Sequence, residues 1–156
     1  MARENLSAEY RDVLKNLTAK LRRLLGSLSD EIVRLKRGAV PGEMEEWVQK
    51  WTPSIGTWIL AEQSARDHTR DSNRTVAEWE DEFDSLGWCL GNVSTAYAEA
   101  VIIFASLEFE EQRWFNRLLS FLRDLNDIRP VIHNDGHKQK VFLARMLKIP
   151  AASFFS

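Results

Sequence analysis

Cysteine is almost missing from this chain: of 156 residues only Cys89 is one, so no disulfide can close within it. Cys89 stands in an apolar run beside Trp88 and Leu90, which reads as a packed thiol in a reducing compartment. Charge of one sign is lacking as well. With 21 Lys and Arg against 23 Asp and Glu the net charge is −2, and 44% of residues are hydrophobic, which excludes a disordered polyelectrolyte and any global pull toward nucleic acid. The opening "MARENLSAEY" has no apolar core of a signal peptide, and no run of the sequence approaches the roughly 20 apolar residues that cross a bilayer. The expectation is an intracellular, soluble, cytoplasmic protein whose 156 residues form one domain.

Catalytic signatures are missing too. There is no P-loop, no dinucleotide glycine motif, no G-x-S-x-G, no C-x-x-C and no H-E-x-x-H, which removes the commonest nucleotide, hydrolase and metal chemistries; no cofactor and no metal site is expected. Strand-like alternation, internal repeats and low-complexity tracts are likewise not found.

What fills the chain is helical periodicity. Tyr10, Leu14, Leu17, Leu21, Leu24, Leu28, Ile32 and Leu35 succeed one another in steps of mostly three and four, predicting a first long helix over 1–37 with Ser7 as its N-cap and Gly26 as its weak point. "RGAVPGE" stops it. Over 43–69 the apolar face of Met44, Trp47, Val48 and Trp51 meets Pro53, so two short helices around that proline are expected, their tryptophans in the core. Thr75 and Glu78 form a T-x-x-E capping box. Behind it Val76, Trp79, Phe83, Leu86, Leu90, Val93, Tyr97, Ala100, Phe104 and Leu107 predict a long central helix from about 75 to 105. Val101, Ile102 and Ile103 widen its apolar face, which argues for burial among several helices. The pattern runs on through Trp114, Phe115, Leu118, Leu122 and Leu125, giving a long helix or helix pair over 75–129, and a final short helix is expected over 137–148. The fold class is all-α, a single-domain helical bundle of five or six helices.

Charge is distributed in blocks: +4 over residues 1–40, −2 over 41–70, −9 over 71–112 and +5 over 113–156. An acidic centre between basic ends can set which helices lie side by side. The basic residues Lys20, Arg22, Arg23, Arg34, Lys36 and Arg37 of the first helix could contact nucleic acid or anionic lipid within a larger assembly, although no aromatic residues are interleaved with them for base stacking.

One stretch departs from the helical background: "LNDIRPVIHNDGH", Leu125 to His137, gathers an arginine, two histidines, asparagine and aspartate. His133 and His137 are spaced like metal ligands on a helix, but the "NDG" turn between them separates the two rings. The string resembles the motif region of HEPN domains, small all-helical modules with an arginine followed by a histidine on a late helix. It has one residue fewer between the two, and Pro130 comes directly after the arginine. The resemblance implies a metal-independent RNase of toxin or defence type acting as a homodimer. Arg129 would stabilise the phosphate under attack, His133 would serve as acid or base, and Asn134 would contact base or phosphate. The residues alone also fit a plainer reading, in which Pro130 ends a helix, Ile132 packs and "HNDGH" is a hydrogen-bonded turn. The leading expectation from sequence is a non-enzymatic helical bundle acting through protein–protein interaction or self-association, with a protein partner or a homodimer. RNA is the partner in the RNase alternative, and a membrane is not expected.

Overall fold

A computed structural model describes residues 2–38 and 40–132 of the chain, the side chains of 2–5 and 129–132 excepted. Among the described residues there is no strand, and the fold is all-helical: α1 (Ala2–Arg37), α2 (Gly42–His68), α3 (Val76–Cys89), α4 (Val93–Ser106) and α5 (Phe109–Ile132). The short helix expected over 137–148 lies outside the described residues.

Leucine at steps of three and four gives α1 one apolar stripe, and Leu14, Leu17, Leu21, Leu28 and Leu35 on it are buried. The helix passes through Gly26, an exposed position where an added Cβ would meet nothing within 4 Å. Ser7 does not cap it, contrary to the sequence reading, because the helix begins at Ala2. Its hydroxyl instead donates to the Arg74 carbonyl at 2.7 Å and accepts from Trp79 Nε1 at 3.1 Å.

The two short helices expected around Pro53 are one helix. α2 runs unbroken from Gly42 to His68 with Pro53 inside it. A proline there removes the hydrogen bond to the carbonyl four residues back and crowds it, at a cost of about 3 kcal/mol. Burial on both sides outweighs that cost: Met44, Trp47, Val48 and Trp51 precede the proline, Ile55 and Trp58 come after it, and all six are buried. Side chains of this size contribute roughly 1.5–3 kcal/mol each when fully buried.

The long central helix expected from about 75 to 105 is two helices of 14 residues, α3 and α4, separated by a turn at Leu90, Gly91 and Asn92. Leu90 still donates to the Leu86 carbonyl, but Gly91 donates to Trp88 and Val93 to Leu90, three residues back rather than four. The tighter step rotates the faces of α4 relative to those of α3. In α3 the buried residues are Trp79, Phe83, Leu86 and Gly87; in α4 they are Val93, Ala96 and Ala100, while Tyr97 and Phe104 of the expected stripe are only partly buried. The expected capping box at the start of α3 is present, with Glu78 N–H donating to Thr75 Oγ1 and Thr75 N–H to Glu78 Oε1, each at 3.2 Å.

Side-chain bonds define the relative directions. α1 and α3 run parallel, with Ser7 at Trp79 and the Tyr10 ring 5.8 Å from that of Phe83. α2 runs antiparallel to α4, since Trp58 meets Asn92, Lys50 meets Glu99 and Glu43 meets Ser106. α1 and α5 are antiparallel, because Arg34 binds the Trp114 carbonyl while Glu31 approaches Arg117. α3 and α4 succeed each other along one rod, and the core lies along the line where this rod meets α1, α2 and α5.

By length and composition alone one stretch is apolar enough to span a bilayer: Val76–Ser106 holds an 18-residue window of mean hydropathy 1.3, 22% of it buried. Core helices of soluble proteins meet the same criterion.

Candidate interaction surface

α4 has the sequence VSTAYAEAVIIFAS, with a single charged residue, Glu99. Three consecutive residues of a helix fan across about 200°, so Val101, Ile102 and Ile103 cannot all face inward. The sequence reading places this trio in the interior; Val101 is 40% and Ile102 70% exposed, and only Ile103 is partly buried against the core. Thr95, Ala98, Ile102 and Ala105, in steps of three and four, face away from the core. At the two ends of this strip stand Trp88, 82% exposed, just below the turn, and Phe109, 76% exposed, at the start of α5. The packed neighbourhood expected for Cys89 is therefore incomplete: its thiol is only partly buried and the indole beside it faces out.

α2 holds α4 in this orientation through its tryptophans. Trp47 Nε1 donates to the Ala96 carbonyl at 3.1 Å, Trp51 Nε1 to Glu99 Oε2 at 2.7 Å, and Trp58 Nε1 to Asn92 Oδ1 at 2.7 Å. The sequence reading has these rings as core, and they are buried; the further role of their N–H groups is a consequence of burial, since an indole N–H removed from water takes a partner. Lys50 Nζ lies 2.6 Å from Glu99 Oε1. Hydrogen bonds from Lys50 and Trp51 hold the Glu99 carboxyl below the usual carboxylate range, against a smaller opposing effect of desolvation. The one charge of α4 is thus committed to α2, and the outward strip is uncharged. Between the two helices a shallow groove of about 310 Å³ exposes Ile102 beside Glu43 and Glu46.

A larger cleft of about 640 Å³ lies at the other end of the molecule, where Leu6 and Arg11 of α1 face Arg74, Val76 and Trp79. Its polar groups hold elements together. Arg74 stacks on Trp79 at 5.0 Å and lies 3.3 Å from Glu82, which also binds His68 Nδ1 at 2.8 Å.

Of the residues singled out for RNase chemistry, Arg129 lies in the last turn of α5 with its side chain outside the described residues, and His133 and Asn134 lie outside them altogether. No shared cleft is described for the three. α5 continues through Pro130 to Ile132, so the proline does not end the helix as the plainer reading has it. The basic group on α1 is divided: Arg34 binds Glu31 at 2.7 Å and the Trp114 carbonyl at 2.6 Å, while Arg22, Arg23, Lys36 and Arg37 are exposed. Among the described residues no three His, Cys, Asp or Glu side chains are placed to hold a metal ion. Comparison with models of protein families, with curated proteins and with solved structures finds no match.

Proposed function

We propose that the chain is a non-enzymatic, intracellular helical bundle that acts by contact with another protein chain, a second copy included, through the outward face of α4. The observation that carries this reading is the uncharged strip Thr95, Ala98, Ile102 and Ala105, with Ile102 70% exposed and the only charge of the helix tied to α2. A surface helix ordinarily presents charged side chains to water, and an apolar strip left open in their place marks a contact surface. The indole bonds from α2 support it, because they fix which face of α4 turns outward.

The test is a benzophenone amino acid at position 98, with the chain irradiated inside the cells that express it and the adducts read by mass spectrometry. The expected result is an adduct joining α4 to another polypeptide, lost when Ile102→Asp is added. Adducts only within the chain, or none, overturn the reading. RNA cleavage by the purified chain, lost in a correctly folded His133→Ala variant, would replace it with the RNase alternative.

A further inference from the structure

The apolar strip of α4 has acidic surroundings. Along its α2 side stand Glu43 and Glu46, which border the groove that exposes Ile102. Beyond Trp88, Asp81 and Asp84 of α3 face away from the core, Asp81 seven residues before the indole and so on the same side of the helix. At the far end Glu108 and Glu110 flank Phe109, and all of these carboxylates are exposed. Cations do not offset them. Among the described residues Lys50 is the one cation lining the groove, and it is bound to Glu99. On α5, Arg113 and Arg123 stand beside carboxylates of their own, Glu110 at 3.9 Å and Asp124 at 3.6 Å. Glu46, Asp81, Asp84 and Glu108 have no ion-pair partner among the described residues.

This rim selects among partners. A second copy sets like charge against like in either direction: paired parallel, Asp81 and Asp84 meet their own counterparts, and paired antiparallel they meet Glu108 and Glu110 of the other copy. Nucleic acid and anionic lipid are repelled by the same carboxylates. What complements the surface is a helix with apolar residues on one side and Lys or Arg at its edges. The strip from Thr95 to Ala105 rises about 15 Å, close to three turns, which suits anchors at i, i+3 or i+4, and i+7 on a docking helix. Its small residues Thr95, Ala98 and Ala105 let a second backbone come close. The exposed rings of Trp88 and Phe109 at its two ends also offer their faces to cations.

We infer that the partner of this surface is a basic amphipathic helix of another protein, seated along α4 with its apolar side on Ala98 and Ile102. Its Lys or Arg side chains lie toward Glu43 and Glu46 on one edge and toward Asp81 and Asp84 at one end. The inference rests on α4 being a contact surface and adds the chemistry of what binds there.

The probe is a fluorescent synthetic helix of leucine and lysine, leucine at i, i+3, i+4 and i+7, titrated with the purified full-length chain and followed by anisotropy. The expected result is saturable binding of one helix per chain that weakens as salt is raised. Ile102→Ser raises Kd at least about tenfold, and Glu43→Lys with Glu46→Lys raises it about tenfold. Asp12→Lys with Asp30→Lys, the same charge change at exposed positions of α1, leaves it within about twofold, because charges beyond a Debye length are screened. Asp81→Lys with Asp84→Lys repeats the test at the end of the strip, away from the Glu43 bond to Ser106, and circular dichroism establishes that each variant is folded. No binding, equal binding of a leucine–glutamate helix, or an equal loss in the α1 pair overturns the inference. If irradiated cells give an adduct at position 98 whose linked peptide is acidic or belongs to a second copy, this inference fails and the proposed function stands. No adduct in cells, with the synthetic helix bound as expected, removes the proposed function and leaves the surface chemistry intact.

Discussion

Two glutamates on neighbouring helices show how placement sets the sign of a charge's contribution. Glu62 on α2 is 2% exposed and lies 3.4 Å from Arg66. Desolvation raises its pKa above the ordinary carboxylate value, and the opposing charges of Arg66 and Arg22 are smaller effects. The fold therefore disfavours its ionised form. That penalty is absent below the unfolded-state pKa, grows as pH rises toward the folded value and is complete above it. Glu62→Gln is expected to raise the denaturation midpoint at about pH 7 and to lose this advantage by about pH 4, near the ordinary carboxylate value. Glu99 behaves oppositely, since hydrogen bonds from Lys50 and Trp51 lower its pKa. Its stabilisation is present above the unfolded-state pKa and is lost as pH falls through the folded one, so Glu99→Gln should cost stability at neutral pH and nothing in strong acid. Denaturant titrations of both variants across that range check the pair; parallel profiles would mean that neither charge is perturbed.

The helices themselves are largely legible in sequence, and the places where they are not share one cause. The Thr75 and Glu78 box is a local device, needing only residues three apart, and it forms as expected. Pro53 and the Leu90–Asn92 turn depend on distant partners that no local pattern displays. α2 stays whole at Pro53 because its flanking rings are buried, and the turn is secured by Trp58 and Ser54, both bonded to the Asn92 side chain. The apolar steps from Leu86 to Val93 look the same whether or not the helix bends between them. If tertiary burial sustains α2 against its proline, then Pro53→Ala, at an exposed site, should stabilise the protein by up to about 3 kcal/mol. An unchanged unfolding midpoint would show that the carbonyl four residues earlier needs no partner there.

At the scale of the molecule, the candidate surface is hidden from sequence for a related reason. A heptad pattern counts apolar residues and is silent on how many helices share them, so Val101 and Ile102 read as buried although they are exposed. The Arg129, His133 and Asn134 group is conspicuous as chemistry, and the Arg129 side chain, His133 and Asn134 all lie outside the described residues. Exposure makes a plain contrast testable. Ile102→Asp, at a position 70% exposed, should shift stability by no more than about 0.5 kcal/mol, whereas Trp58→Ala, at a fully buried ring, should cost about 3–5 kcal/mol. Thermal melts of the two variants decide it, and a large loss at Ile102 would mean that this side chain belongs to the core.

The fully buried residues of α4 are Val93, Ala96 and Ala100, with Tyr97, Ile103 and Phe104 only partly covered, whereas α1 buries leucine after leucine. α4 therefore removes less apolar surface from water than α1, and its hold leans more on the indole N–H groups and one carboxylate bonded to α2. Local opening free energies track such differences. The backbone amides of α4 should then exchange with deuterium well before those of the middle of α1, through an opening that releases this helix while the rest stays folded. The helix that carries the contact face is thus also the part of the protein that can come undone first, and a ligand on that face would be read out as slower exchange there and nowhere else.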